Sequence, residues 1–147
     1  HKRTRRNVII KLIIMCLQTI WKEPKMAEQD IIVYKLLENT GELYSPYTYH
    51  LYELNTLYSI NMEKDEYIIP YDEIANENLK KLNLNRIPYL NIGKGFHSAK
   101  NEERLKKEEE YDLDVLVECI VPKGSLYYED DTDLMVSNQI IITKIIT

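Results

Sequence analysis

Val115-Leu-Val-Glu-Cys-Ile-Val121 decides how this chain is read: Val115, Val117, Cys119 and Val121 alternate with Leu116, Glu118 and Ile120, and the run stops at Pro122-Lys-Gly-Ser125. Alternation with a period of two sends successive side chains to opposite faces of a strand, and the Pro and Gly close it with a turn. Beyond the turn, Leu126-Tyr-Tyr128 is expected to pair back, Glu129-Asp-Asp-Thr-Asp133 to form an acidic loop, and residues 139–146, almost all Ile and Thr, to close the chain as a strand. In the other direction, Asp30-Ile-Ile-Val-Tyr-Lys-Leu-Leu37 is β-branched and apolar and runs into Asn39-Thr-Gly41, which predicts a buried strand and a turn. Lys35 is the exception inside it.

Between these two strands the signals are shorter. Tyr44, Tyr47, Tyr49, Tyr52 and Tyr58 share residues 43–60 with Ser45-Pro46 and Asn55-Thr56, so two short strands broken by turns are expected. Asp72 caps a stretch holding Leu79, Leu82 and Leu84 that fades at Asn83-Asn85, which predicts a helix. Ile87-Pro-Tyr-Leu-Asn-Ile92 reads as an edge strand, because Pro88 lacks the amide a central strand needs. Ser98 is placed to cap a second helix over 101–110, built of strong helix formers with Leu105 as its apolar anchor.

The sum is an α+β domain, mainly antiparallel sheet with two short helices, lacking the βαβ alternation of a doubly wound fold. Residues 29–147 are expected to form it. Residues 15–28 read as a linker around Trp21-Lys-Glu-Pro-Lys25, and residues 1–14, upstream of the first Met, as a basic leader that is extraneous or disordered.

A length of 147 residues with 44% apolar content suffices for one core, while 4 Gly and 5 Pro exclude low-complexity classes. Two cysteines cannot staple a small secreted domain and point to a cytoplasmic location. The net charge of −5 hides an asymmetry: residues 1–14 carry +5, leaving 14 of the 19 basic residues against all 24 acidic ones, or −10, on the rest. An acidic body repels phosphate backbones, so no nucleic acid is expected as a partner. Lys11 interrupts the apolar run after the basic leader, so no membrane span is expected.

No pattern in the chain matches a known chemistry. Cys16, Cys119, His50 and His97 lack zinc spacing, and the acidic loop lacks the EF-hand order, so no metal and no cofactor are expected. Cys119, in its alternating run, reads as a buried hydrophobe. The tyrosines of 44–58 fit either a stacking platform or a half-buried strand. Gly93-Lys-Gly-Phe-His-Ser98 is the least ordinary segment, holding two of the four glycines and the only Phe. It reads either as an anion-receiving turn with Lys94 beside it or as a tight turn whose Ser98 serves as a cap. Lys35, Lys94, His97 and Ser98 are therefore the candidate ligand-binding residues, and none is expected to be catalytic.

Two resemblances follow. Met15-Cys-Leu, Pro24-Lys25, Asp30-Ile-Ile-Val-Tyr-Lys35, Ser45-Pro-Tyr47, Gly95-Phe-His-Ser98 and Glu118-Cys-Ile-Val-Pro-Lys-Gly-Ser125 with Val136-Ser-Asn138 look like small uncharacterised proteins of bacteriophages and gut bacteria. Abundant Ile, Asn, Lys, Tyr and Glu, with Ala only at 27, 75 and 99, fit the A/T-rich genomes of such sources. The chain also resembles the ADP-ribosyltransferases, which run from an Arg-bearing strand through a Ser-Thr-Ser strand and an "iPkGs" strand to a catalytic Glu. Lys35 stands at the Arg place, Ser98 is the single Ser of the second, and no Glu stands near Val136-Ser-Asn-Gln139. That resemblance implies a degenerate relative. The function expected is a small phage-type accessory protein that binds a protein partner without catalysis; the alternative is an ADP-ribosyltransferase-like enzyme or nucleotide-binding protein using Lys35, His97 and Ser98.

Overall fold

The computed structural model describes residues 17–19, 23–45, 50–70, 86–106, 114–130 and 132–146. The basic leader, the helix expected from Asp72, Tyr47 and Tyr49 lie outside these residues. Within them the chain forms β1 (Leu17–Thr19), β2 (Lys25–Met26), β3 (Ile31–Asn39), β4 (Leu43–Tyr44), β5 (Leu51–Tyr52), β6 (Leu57–Ser59), β7 (Glu63–Pro70), β8 (Arg86–Lys94) and β9 (Phe96–Ala99). A short helix α1 (Glu102–Lys106) then precedes β10 (Asp114–Val121), β11 (Leu126–Glu129), β12 (Leu134–Ser137) and β13 (Gln139–Ile145).

The α+β expectation with two helices is corrected. The described residues make a sheet-dominated, antiparallel fold with one five-residue helix. Ser98 does not cap that helix but lies inside β9, paired with Met135. The cap is Asn101, whose Oδ1 accepts from the Glu103 amide at 2.8 Å. Leu105, 1% exposed, is the anchor the sequence offered.

The strands divide into a three-stranded sheet, β1-β8-β7, and a ten-stranded one whose main path is β2-β11-β12-β9-β3-β10-β13-β6, with β4 and β5 branching from β3. The central ladder is β3 against β10, from Ile31↔Val121 to Glu38↔Asp114. β8 is the middle strand of its sheet rather than an edge. Pro88 is tolerated there because it pairs with Ile68 of β7, while β1 reaches only Leu90 to Ile92. After the Pro122–Ser125 turn β11 does not pair back on β10; it pairs with β12 and β2. The segment expected to be a linker supplies β1 and β2, with Leu17 and Ala27 buried. Three short strands, β4 to β6, stand where two were expected.

β3 and β10 are covered on both faces. Leu36 and Leu116 join Leu17, Leu90, Ile92, Leu105 and Val136 beneath the small sheet and the helix. Val33, Leu37, Val117, Cys119 and Val121 join Phe96, Tyr52, Met135, Ile140 and Ile142 on the opposite face. Tyr58 of β6 and Tyr127 of β11 pack on that same second cluster although they lie near opposite ends of the strand order, so the large sheet curls around it.

Two corners make the curl. Gly95 joins β8 of the small sheet to β9 of the large one at φ +154°, and a Cβ there would sit 2.3 Å from Val136 Cγ1. Asn138 joins β12 to β13: its amide donates to Leu126 O, its carbonyl accepts from Ile60 N, and its Oδ1 accepts from Leu126 N at 2.8 Å.

Candidate functional site

Lys35 defines the site. Its neighbours Val33 and Leu37 face the second cluster, and the period of a strand sends Lys35 the same way, leaving it 9% exposed. Tyr34 of β3 pairs with Ala99 of β9. Continuing that antiparallel register by one residue sets Lys35 opposite Ser98, and side chains so placed share a face. The Lys35 ammonium donates to the His97 carbonyl and lies 5.9 Å from the centroid of the Tyr52 ring.

An aromatic group lines this end of the cluster. The His50 ring lies 4.5 Å from Tyr52 and 5.1 Å from Tyr58, and Tyr52 and Tyr58 are 5.1 Å apart, all edge-on. Phe96 stands 6.4 Å from both His50 and Tyr52. The Tyr58 hydroxyl accepts from the Glu53 amide at 2.7 Å. Tyr52 is 5% exposed, so it is a packed core ring rather than a stacking platform open to solvent.

Electrostatics follow from burial. Desolvation lowers the Lys35 ammonium to about 8, with Cys119 acting in the opposite direction. Burial pushes the Cys119 thiol up to about 12, Lys35 opposing and Glu118 assisting. Tyr52 is raised by burial, and His50 is lowered by burial and then by Lys35. Cys119 is thus a protonated core thiol, as its alternating run suggested.

The four sequence candidates do not converge. Lys35 and Ser98 share the inner face. His97, between Phe96 and Ser98 on β9, points to the other face, where its Nε2–H donates to Gly93 O at 2.9 Å. Lys94 is exposed and pairs with Glu63 at 3.3 Å. Of the two glycines in the segment, Gly95 alone has a positive φ. His50, Tyr52 and Tyr58 were missed as site residues. The one local signal for them was the alternation of tyrosines over 44–58; contact with Lys35 depends on the branch of β4 and β5 from β3.

Among the described residues no group of three His, Cys, Asp or Glu is arranged to hold a metal. In the acidic loop, Asp130 Oδ1 accepts from the amides of Thr132 and Leu134 and from the Thr132 hydroxyl, so it closes its own turn. Glu129 pairs with Lys25 and Lys100. Among the described residues no helix is long and apolar enough to cross a membrane. No protein-family profile, curated protein or solved structure matches the chain.

Proposed function

We propose that this chain is a partner-binding protein without catalysis, acting in the cytoplasm of a bacterial host cell as a small phage-type accessory protein. The observation that carries this reading is the far end of the large sheet. β6 ends the strand order and, among the described residues, pairs with β13 alone. Leu57 on this strand is 52% exposed, and Leu51 and Leu54 in the chain leading to it are 41% and 43% exposed. Natural edge strands are guarded by shortness, Lys, Pro or bulges; Leu57-Tyr-Ser59 is short but carries no Lys, Pro or bulge, and its main-chain groups with exposed Leu57 suit a partner's strand. Cys119 is held as a protonated, buried thiol, and a free buried thiol fits a reducing compartment.

The test uses wild type and the variants Leu54→Asp and Leu57→Asp as baits for bacterial host lysate, followed by titration of the purified captured protein. Saturable binding to the wild type, lost in both variants, is expected. Equal binding by all three overturns the assignment to this edge.

A second reading, an ADP-ribosyltransferase-like nucleotide site, has one supporting observation: Lys35 and Ser98, the residues that resemblance singles out, are cross-strand neighbours on one face. Nicotinamide release from NAD is expected to stay at background. Release that disappears in Lys35→Ala would establish the enzyme instead.

A further inference from the structure

We propose that Lys35, Ser98 and His50 together form a binding site for a small oxoanion. Charge and hydrogen-bond balance at Lys35 point to it, whichever reading above holds. A buried ammonium is ordinarily matched by a carboxylate, because desolvation penalises an isolated charge heavily. Lys35 is buried with one hydrogen-bond acceptor, the uncharged His97 carbonyl, and the face of Tyr52.

Among the described residues, the groups that face it from the packed elements offer no negative charge. β9 presents Ser98 and the His97 carbonyl, β10 presents Val117 and the protonated Cys119, and β5 presents Tyr52 with His50 just ahead of it. Glu118, next to Cys119 in β10, alternates to the other face and lies near Lys144.

Two polar atoms beside this uncompensated charge are orphaned as well. Ser98 Oγ and His50 Nε2 are both buried without a hydrogen-bond partner, and Ser98 is only 1% exposed. Buried side-chain polar atoms are nearly always satisfied, so two orphans on one face with an unpaired ammonium mark a place where an acceptor belongs. Water would satisfy the hydroxyl and the imidazole but would leave the charge unmatched. A tetrahedral or planar oxoanion does both: its oxygens accept from the free N–H groups of Lys35, from the Ser98 hydroxyl and from His50 in its Nε2–H form. The neighbouring rings of Tyr52, Tyr58 and Phe96 would set such an ion among aromatic side chains and favour a compact ion over a hydrated one.

The experiment titrates inorganic phosphate into the protein at constant ionic strength set with sodium chloride, reading melting temperature and the ³¹P line width. A saturable rise in melting temperature beyond the chloride control, with line broadening, is expected. Lys35→Met should weaken the apparent affinity by about tenfold or more, and Ser98→Ala by less. Adenosine monophosphate in a parallel arm separates a free ion from one carried on a larger molecule: a shift only with inorganic phosphate assigns the free ion, and a larger shift with the nucleotide assigns the carried group. No shift with either, or the same shift in Lys35→Met, overturns the site. Should Lys35→Met not fold, the Ser98→Ala, His50→Leu double variant decides, loss of the shift supporting the site and retention overturning it.

Discussion

Leu36 and Lys35 are neighbours on one strand and face opposite worlds. Leu36 points into a mainly aliphatic cluster, with Tyr128 its one buried ring, closed by a small sheet and a helix. Lys35 points into a cluster that also holds a thiol, phenols and an imidazole, curled inside the large sheet. Among the described residues the first face buries no charged side chain. The second carries a cost, the buried charge, that packing does not remove.

The comparison breaks most visibly on the hydrocarbon side. Leu116→Ala, at a fully buried position of β10, should lower stability by about 2–5 kcal/mol in urea unfolding, the range of cavity-forming substitutions. A loss below about 1 kcal/mol would mean that this face is loosely packed.

On the other face the effect is a matter of pH. The Lys35 pKa is depressed on folding, from 10.5 to about 8, so between those values the unfolded chain binds more protons and stability rises with pH. Full titration across that window corresponds to about 3 kcal/mol. Cys119 opposes it: its thiol is raised from 9.0 to about 12, so above pH 9 the unfolded chain releases a proton that the folded one keeps, and stability falls. Wild type should therefore gain stability mainly between pH 8 and 9 and then level off. Cys119→Ala should continue to gain up to about pH 10, and Lys35→Met should show no gain at all. Denaturant midpoints measured from pH 7 to 10 check this, and a gain in Lys35→Met would remove Lys35 as its source.

The smallest effect sharpens the contrast between the two lysines of the sequence reading. Lys94→Ala, which removes an exposed partner of an exposed glutamate, should leave the melting temperature unchanged within error. A clear drop would show that the pair contributes to the β7–β8 ladder.

Ile31–Asn39 and Asp114–Val121 were legible because burial on both faces or strict alternation is written locally, whereas the equally long Glu63–Pro70 was not read, its first four residues all being charged. Lys35 was legible for the same reason, as the one charge in an apolar run. Ser98 was misread as a cap because a Ser before a charged run satisfies helix rules, while the competing choice depended on β12, whose Met135 and Val136 pair with β9 from nearly forty residues away. His50 and Tyr52 were hidden by the same distance problem, since nothing local says that residues 50–52 will fold against Lys35. Pro88 shows a finer case. The rule that proline avoids a central strand holds at the level of the residue, and it fails at the level of the whole strand because β1 is short.

The β3–β10 ladder also sets a timetable for synthesis. Ile31 is synthesised ninety residues before its partner Val121, an interval of roughly 5–20 seconds at ordinary elongation rates. During that time an apolar strand is exposed with only β4 as a nearby partner, in a chain whose main pairing must wait for its last third. The β3–β10 ladder therefore closes only after β10 has been made, and until then the apolar face of β3 lacks its main cover.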